Sequence, residues 1–257
     1  MRRLLTAVSA AALVLGIVAP SVVSASAQYP RGNGDIANGK NIYTSGKGDV
    51  PACASCHGAD GMGQDAMGTP RLAGQFAVFL RKQLEDFATD KREDGTMFAM
   101  NGIAKGMTAK DRNDVATYLE SIAVVDDGRH GSDLNALRDA GAIPVGATHK
   151  GKSIVEWGQG NRQNPLSACR SCHGYNGRGA PPLYPRIGGQ KYVYIVNQLK
   201  AFRDGVRKND AQSQMQIIAS RMTDEDIYNA AAYLTTASDY SSGNFFTPYD
   251  KERYNGK

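Results

Sequence analysis

All four cysteines of the chain fall in two copies of one pattern, CASCH at residues 53–57 and CRSCH at residues 169–173. In each copy two thiols stand three positions apart and a histidine follows the second. Three chemistries use thiols at this spacing: a redox dithiol, half of a zinc site, and covalent haem attachment. A zinc site needs further thiolates or imidazoles, and the only other histidines are His130 and His149. A thioredoxin-like dithiol needs a βαβ setting, for which the sequence offers no strands. A structural disulfide within either pair would close too tight a ring to staple anything. Covalent haem uses every group present: the two thiols add across the porphyrin vinyl groups and the histidine reaches the iron from one face. Cys53, Cys56, Cys169 and Cys172 are therefore expected to attach two haem c groups, with His57 and His173 as iron ligands.

The second iron ligand follows from a repeat. Residues 53–122 and 169–237 align with one small gap, after which the offset stays at 115 residues. PRLAGQ at 70–75 matches PRIGGQ at 185–190, QLEDF at 83–87 matches QLKAF at 198–202, and ATYLES at 116–121 matches AAYLTT at 231–236. A ligand used by both halves must recur in both. Met97 aligns with Gln212 and fails this test, whereas Met100 and Met215 align and pass. Met107 and Met222 also align, but each directly precedes an N-cap threonine, where an apolar residue can serve as a hydrophobic staple. Met100 and Met215 are the expected axial ligands, and thioether ligation raises a haem's reduction potential.

The elements that must position these groups read as helices. Short amphipathic segments, ANGKNIYTSGK and HKGKSIVEWGQ, precede the two cysteine motifs. Phe79, Gln83, Leu84 and Phe87, and their counterparts Tyr194, Gln198, Leu199 and Phe202, recur at helical spacing. A last helix in each half starts at Thr108 or Thr223, each an N-cap with an aspartate three residues on, and carries in the first half the stripe Val115, Tyr118, Leu119 and Ile122. No run alternates in the manner of a sheet, so the fold class is all-α.

Residues 1–27 begin with MRR, continue as an apolar run and end in Ala-Ser-Ala, the pattern of a cleaved secretory signal. Its loss removes Arg2 and Arg3 and takes the net charge from +5 to +3, too mild for a nucleic-acid binder. No second apolar run is long enough to span a bilayer. The expected organisation is a leader at 1–27, a first domain at 28–123, a linker at 124–146 with room for a short helix, a second domain at 147–240 and a tail at 241–257. The first domain carries −1 and the second +5. Arg170 and Arg178 beside the second motif should favour reduced iron there and give that haem the higher potential.

The doubled pattern CxxCHG…PxLAGQ…QLxxF…M…MTxED…AxYL resembles the di-haem class I cytochromes of the cytochrome c4 family. The resemblance implies two tandem class I cytochrome c domains with crossed first and last helices, His/Met iron and a proline carbonyl, from Pro70 or Pro185, behind each ligating imidazole. Arg71 and Arg186 pair with haem propionates or face solvent. It further implies a periplasmic electron carrier between a dehydrogenase or quinol-oxidising complex and a terminal oxidase or reductase. The alternative is a cytochrome subunit of a larger periplasmic or membrane-associated dehydrogenase. Turnover at iron needs an open coordination position or an unusual ligand, and with four cysteines consumed and a methionine in each half, an enzyme is not expected.

Overall fold

The computed structural model describes residues 32–95, 98–124, 131–160 and 165–238. The expected leader, the tail at 241–257, Met97 and His130 lie outside the described residues. In the first half, α1 (Ile36–Ser45), α2 (Ala54–His57), α3 (Ala77–Ala88), α4 (Met100–Lys105) and α5 (Ala109–Ser121) follow one another; α6 (Leu134–Ala140) lies in the connection. The second half repeats the order as α7 (Thr148–Trp157), α8 (Arg170–His173), α9 (Tyr192–Arg203), α10 (Gln214–Ala219) and α11 (Asp224–Thr236). Among the described residues, the one strand pair is a two-residue antiparallel one, Gln159–Gly160 with Pro165–Leu166, too short to show as alternation in sequence.

Each half is built on the crossing of its first and last helices, α1 over α5 and α7 over α11. Glycine makes both crossings possible. A Cβ on Gly39 would lie 2.1 Å from the Asp114 carbonyl oxygen, and one on Gly151 would lie 1.8 Å from that of Asn229. Polar side chains at the same level lock the register. Asp114 accepts from the Asp35 amide and the Asn38 side chain, and Asn229 accepts from the Ala147 amide at 2.7 Å. Ile42, Tyr43, Leu80, Val115 and Leu119 form the core of the first half; Ile154, Val155, Tyr192, Ile227 and Leu234 lie in that of the second.

Both last helices open with a capping box. Thr108 accepts from the Asp111 amide at 3.1 Å while Asp111 accepts back from Thr108; Thr223 and Asp226 do the same. Burial alone would raise the Asp111 pKa, but the Lys47 ammonium at 2.7 Å and the two Thr108 donors outweigh it and hold it down at about 2. A carboxylate depressed in the folded state stabilises above its unfolded pKa, near 4, and stops doing so as pH falls through the folded value. Asp111→Asn should therefore cost about 1 kcal/mol at neutral pH. Denaturant titrations of parent and variant should converge between about pH 4 and pH 2.

The connection belongs to the second half. Asp133 caps α6 by accepting from Asn135 and Ala136, Gly141 ends it in the left-handed region, and Leu134, Leu137, Ile143 and Val145 pack on the second core. Ser132 donates to the Thr235 hydroxyl at 2.7 Å, and Tyr192 donates to the Pro144 carbonyl at 2.6 Å.

Candidate haem sites

The two halves meet through the stretch both repeat. Gln190 accepts from the Arg71 amide at 2.6 Å and donates to the Arg71 carbonyl at 3.0 Å. Gln75 accepts from the Arg186 amide at 3.0 Å and donates to its carbonyl at 2.8 Å. Each PR(L/I)(A/G)GQ stretch thus reads the backbone of the other around a local twofold. Arg71 is 3 % exposed and buried in this contact, so the solvent-exposed reading does not hold for it; Arg186 stacks on the Phe76 ring at 4.6 Å.

One cavity of about 640 Å³ runs through both halves and is lined by both cysteine motifs. The motifs sit where the chain can place all their groups on one wall. Cys53 and Cys169 are the N-caps of the four-residue helices α2 and α8, which bring each histidine round onto the cavity. Burial pushes the Cys53 and Cys169 thiols up to about 11. His57 and His173 are both buried, and burial holds both below the ordinary imidazole range. Their Nδ1 atoms lie 3.3 Å from the Pro70 carbonyl and 2.9 Å from the Pro185 carbonyl. A carbonyl can only accept, so Nδ1 carries the proton and Nε2 keeps the lone pair a metal needs.

Met100 and Met215 line the same cavity, each at the start of its short helix, α4 or α10. Both helix starts are tied by an aspartate that also lines the cavity. Asp94 accepts from the Ala99 and Met100 amides at 3.0 and 3.2 Å, and Asp210 accepts from the Met215 and Gln216 amides at 2.7 and 3.2 Å. The residues just ahead, Phe98 and Ser213, occupy the left-handed region at φ 56° and 53°, a cost these bonds help to offset. With Met100 and Met215 as the expected sulfur ligands, Asp94→Ala should weaken the red-end sulfur–iron absorption of the first haem while leaving the second unchanged, and Asp210→Ala should do the reverse. Redox-difference spectra of each variant check this.

Met107 and Met222 also line the cavity but are 5 % exposed and belong to the two cores. The staple reading fits the second half, where Met222 shares its core with Ile227 four residues into the helix count. It fails in the first half. There Arg112 occupies that place and donates to the Met107 carbonyl at 2.5 Å, so Met107 is held by Val50, Val115 and their neighbours instead.

Sequence reasoning missed the polar cluster between the halves. Arg92 donates to Gln83 of its own half at 2.7 Å and to Tyr194 and Gln198 of the other at 3.1 and 2.8 Å. Arg207 donates to Gln198 at 2.7 Å and across to Gln83 at 3.0 Å. The two guanidiniums are buried and line the cavity; among the described residues their hydrogen bonds go to neutral oxygens, with the Asp210 charge in reach of Arg207. Burial, and then the Arg92 charge, push Arg207 down to about 9. Burial would raise Tyr194, but the two arginine charges outweigh it and bring it below its ordinary value. Paired buried cations are costly without an anion. A porphyrin bearing carboxylates, held by the thiols and an imidazole on the wall of this mostly apolar space, would supply that anion, so the residues present fit haem. The available signal was the 115-residue offset linking Arg92 to Arg207 and Gln83 to Gln198.

Fold and site together define a duplicated, all-helical c-type haem protein. The Cytochrome c family profile matches residues 36–123 and 150–238. A thiosulfate dehydrogenase electron acceptor from Stutzerimonas stutzeri is 36 % identical over 209 residues, 80 % of this chain and 89 % of the relative. The structure of a reduced recombinant cytochrome c4 from Pseudomonas stutzeri superposes with a TM-score of 0.62 at 27 % identity, over 80 % of this chain and all of that one. A thiosulfate dehydrogenase (TsdBA) from Marichromatium purpuratum gives a TM-score of 0.67 at 29 % identity; the match takes in 78 % of this chain but only 40 % of that longer one. The chain belongs to the cytochrome c family, as a di-haem electron carrier of the cytochrome c4 kind with two covalently bound haem c groups. Among the described residues, no helix is long and apolar enough to cross a membrane.

Proposed function

We propose that this protein is a periplasmic carrier that takes electrons from a thiosulfate dehydrogenase and delivers them to a terminal oxidase or reductase, without catalysis of its own. The observation that carries the donor is the 36 % identity, across 80 % of the chain, to a protein named as the electron acceptor of that enzyme. Cys53 and Cys56 would attach one haem and Cys169 and Cys172 the other, with His57 and Met100, and His173 and Met215, as axial ligands. Haem supplies one-electron redox chemistry. The chain's part is to fix each imidazole through Pro70 or Pro185, fill both coordination positions, and balance the carboxylates with Arg92 and Arg207. The signal-like residues 1–27 support export to the periplasm.

The test is to mix the oxidised holoprotein with a purified thiosulfate dehydrogenase and follow haem reduction on adding thiosulfate. Reduction of both haems that requires enzyme and substrate together supports the assignment. A protein that dithionite reduces fully but the enzyme leaves oxidised sinks it.

A further inference from the structure

The two halves differ beside their cysteine motifs at three neighbouring positions. Helix α1 ends at Ser45 and α7 at Trp157, each followed by a glycine at φ 77°, so these two residues occupy the same place. One residue earlier stand Thr44 and Glu156. Directly after the first cysteine of each motif stand Ala54 and Arg170. In the second half the three substituted side chains form one unit. The Arg170 guanidinium sits 4.5 Å over the Trp157 ring and 3.5 Å from Glu156. Glu156 is 2 % exposed and also accepts from the Asn176 amide at 3.2 Å and from the Tyr233 hydroxyl at 3.4 Å. Trp157 is nevertheless 74 % exposed. A tryptophan held in a fixed orientation and left in water contributes little to the fold, whereas exposed, pre-set Trp and Arg side chains are the anchors of protein interfaces.

Two exposed arginines flank this face. Arg178 is exposed and packs its stem against Gly174, next to His173; Arg221, also exposed, donates to Pro165 in the strand pair that follows Trp157. Among the described residues, the carboxylates that bond to this face, Glu156 and Asp226, are both buried, and the exposed Asp224 and Glu225 beside Asp226 are paired with Lys200, Arg203 and Lys150. Leu183 adds an apolar side chain, 69 % exposed, at the cavity wall that also holds Cys172. The first half has the exposed Asp60 beside its motif, and it carries −1 against +5.

We infer that the Trp157–Arg170 face is the docking surface for the electron donor, a redox protein presenting an apolar centre within an acidic rim, and that electrons enter through the second half. Trp157 is the anchor, Arg170 and Glu156 hold its ring, and Arg178 and Arg221 steer the acidic partner. The identity of that partner as a thiosulfate dehydrogenase rests on the function proposed above; the surface itself does not.

Stopped-flow reduction of the oxidised holoprotein tests it with two protein donors, a thiosulfate dehydrogenase supplied with thiosulfate and reduced flavodoxin, a small acidic redox protein. The variants are Trp157→Ala, Trp157→Phe, Arg178→Gln with Arg221→Gln, and Ser45→Ala in the first half as control. Trp157→Ala should slow the second-order rate at least tenfold, Trp157→Phe should restore most of it, and the double arginine variant should flatten the fall of rate with salt. Reduction by ascorbate should be the same in all, which shows that folding and haem are intact. Unchanged rates with both protein donors overturn the inference. Slowing with flavodoxin, when the dehydrogenase fails to reduce even the parent, keeps the surface and removes the proposed donor.

Discussion

Replacing Met100 with alanine should open the first haem, on the proposed ligand set, and let the reduced protein bind carbon monoxide in that half while the second stays closed. Met215→Ala should do the converse. Each variant should lose half of the red-end sulfur–iron absorption of the oxidised protein. The potential of the altered haem should fall by hundreds of millivolts, since axial ligand and surroundings together move haem potentials over about 0.8 V. Met107→Ala separates this from a packing defect. Its side chain is buried with Val50, Leu80 and Val115 in the first core, so truncation should cost about 2–5 kcal/mol and leave the sulfur band in place. If instead Met107→Ala opens the iron and Met100→Ala does not, the two methionines exchange roles. The cavity wall holds both, and the carbon monoxide difference spectrum decides.

The haem chemistry was legible in sequence because attachment is covalent and local: thiols, histidine and spacing lie within five residues. Thr108 with Asp111 and Thr223 with Asp226 were legible for a similar reason, since a capping box spans a single helical turn. Contacts between the halves were not. Gln75 and Gln190 appear in sequence only as matching ends of a repeated stretch, and nothing local says that each grips the other half's backbone. Arg92 and Arg207 lie outside any periodic stripe, and their closeness exists only once two domains pack face to face. Local reading also missed a counterion. Arg170 was expected to raise the second haem's potential, yet the buried Glu156, thirteen residues before Cys169, lies 3.5 Å from it and balances that charge. Arg178, which is exposed and screened by solvent, is a weaker basis for the same ordering. A residue's charge is visible in a sequence, but its counterion is a property of the fold.

Gly39→Ala and Gly151→Ala should be among the most damaging single changes, each confined to its own half. Neither glycine has a left-handed backbone, so the new methyl meets no strain of its own and the cost is steric. The obstructing atoms are the backbone oxygens of Asp114 and Asn229, at 2.1 and 1.8 Å, and a backbone oxygen inside a helix cannot turn aside as a side chain does. The helices must separate, which also draws Asp35 and Asn38 from Asp114, or Ala147 from Asn229. Alanine gains about 1 kcal/mol over glycine in helix propensity, and overpacking plus the lost bonds should exceed that by roughly 3 kcal/mol. The affected half should then melt on the order of 10 °C lower. Gly102→Ala is the control: it lies in α4 with nothing within 4 Å of its added methyl, so it should be neutral or slightly stabilising. Thermal unfolding followed through the haem absorption of each half checks all three. A Gly39→Ala protein that melts with the parent would mean that α1 and α5 can ride apart freely, and the close crossing could not then be what the first half is built on.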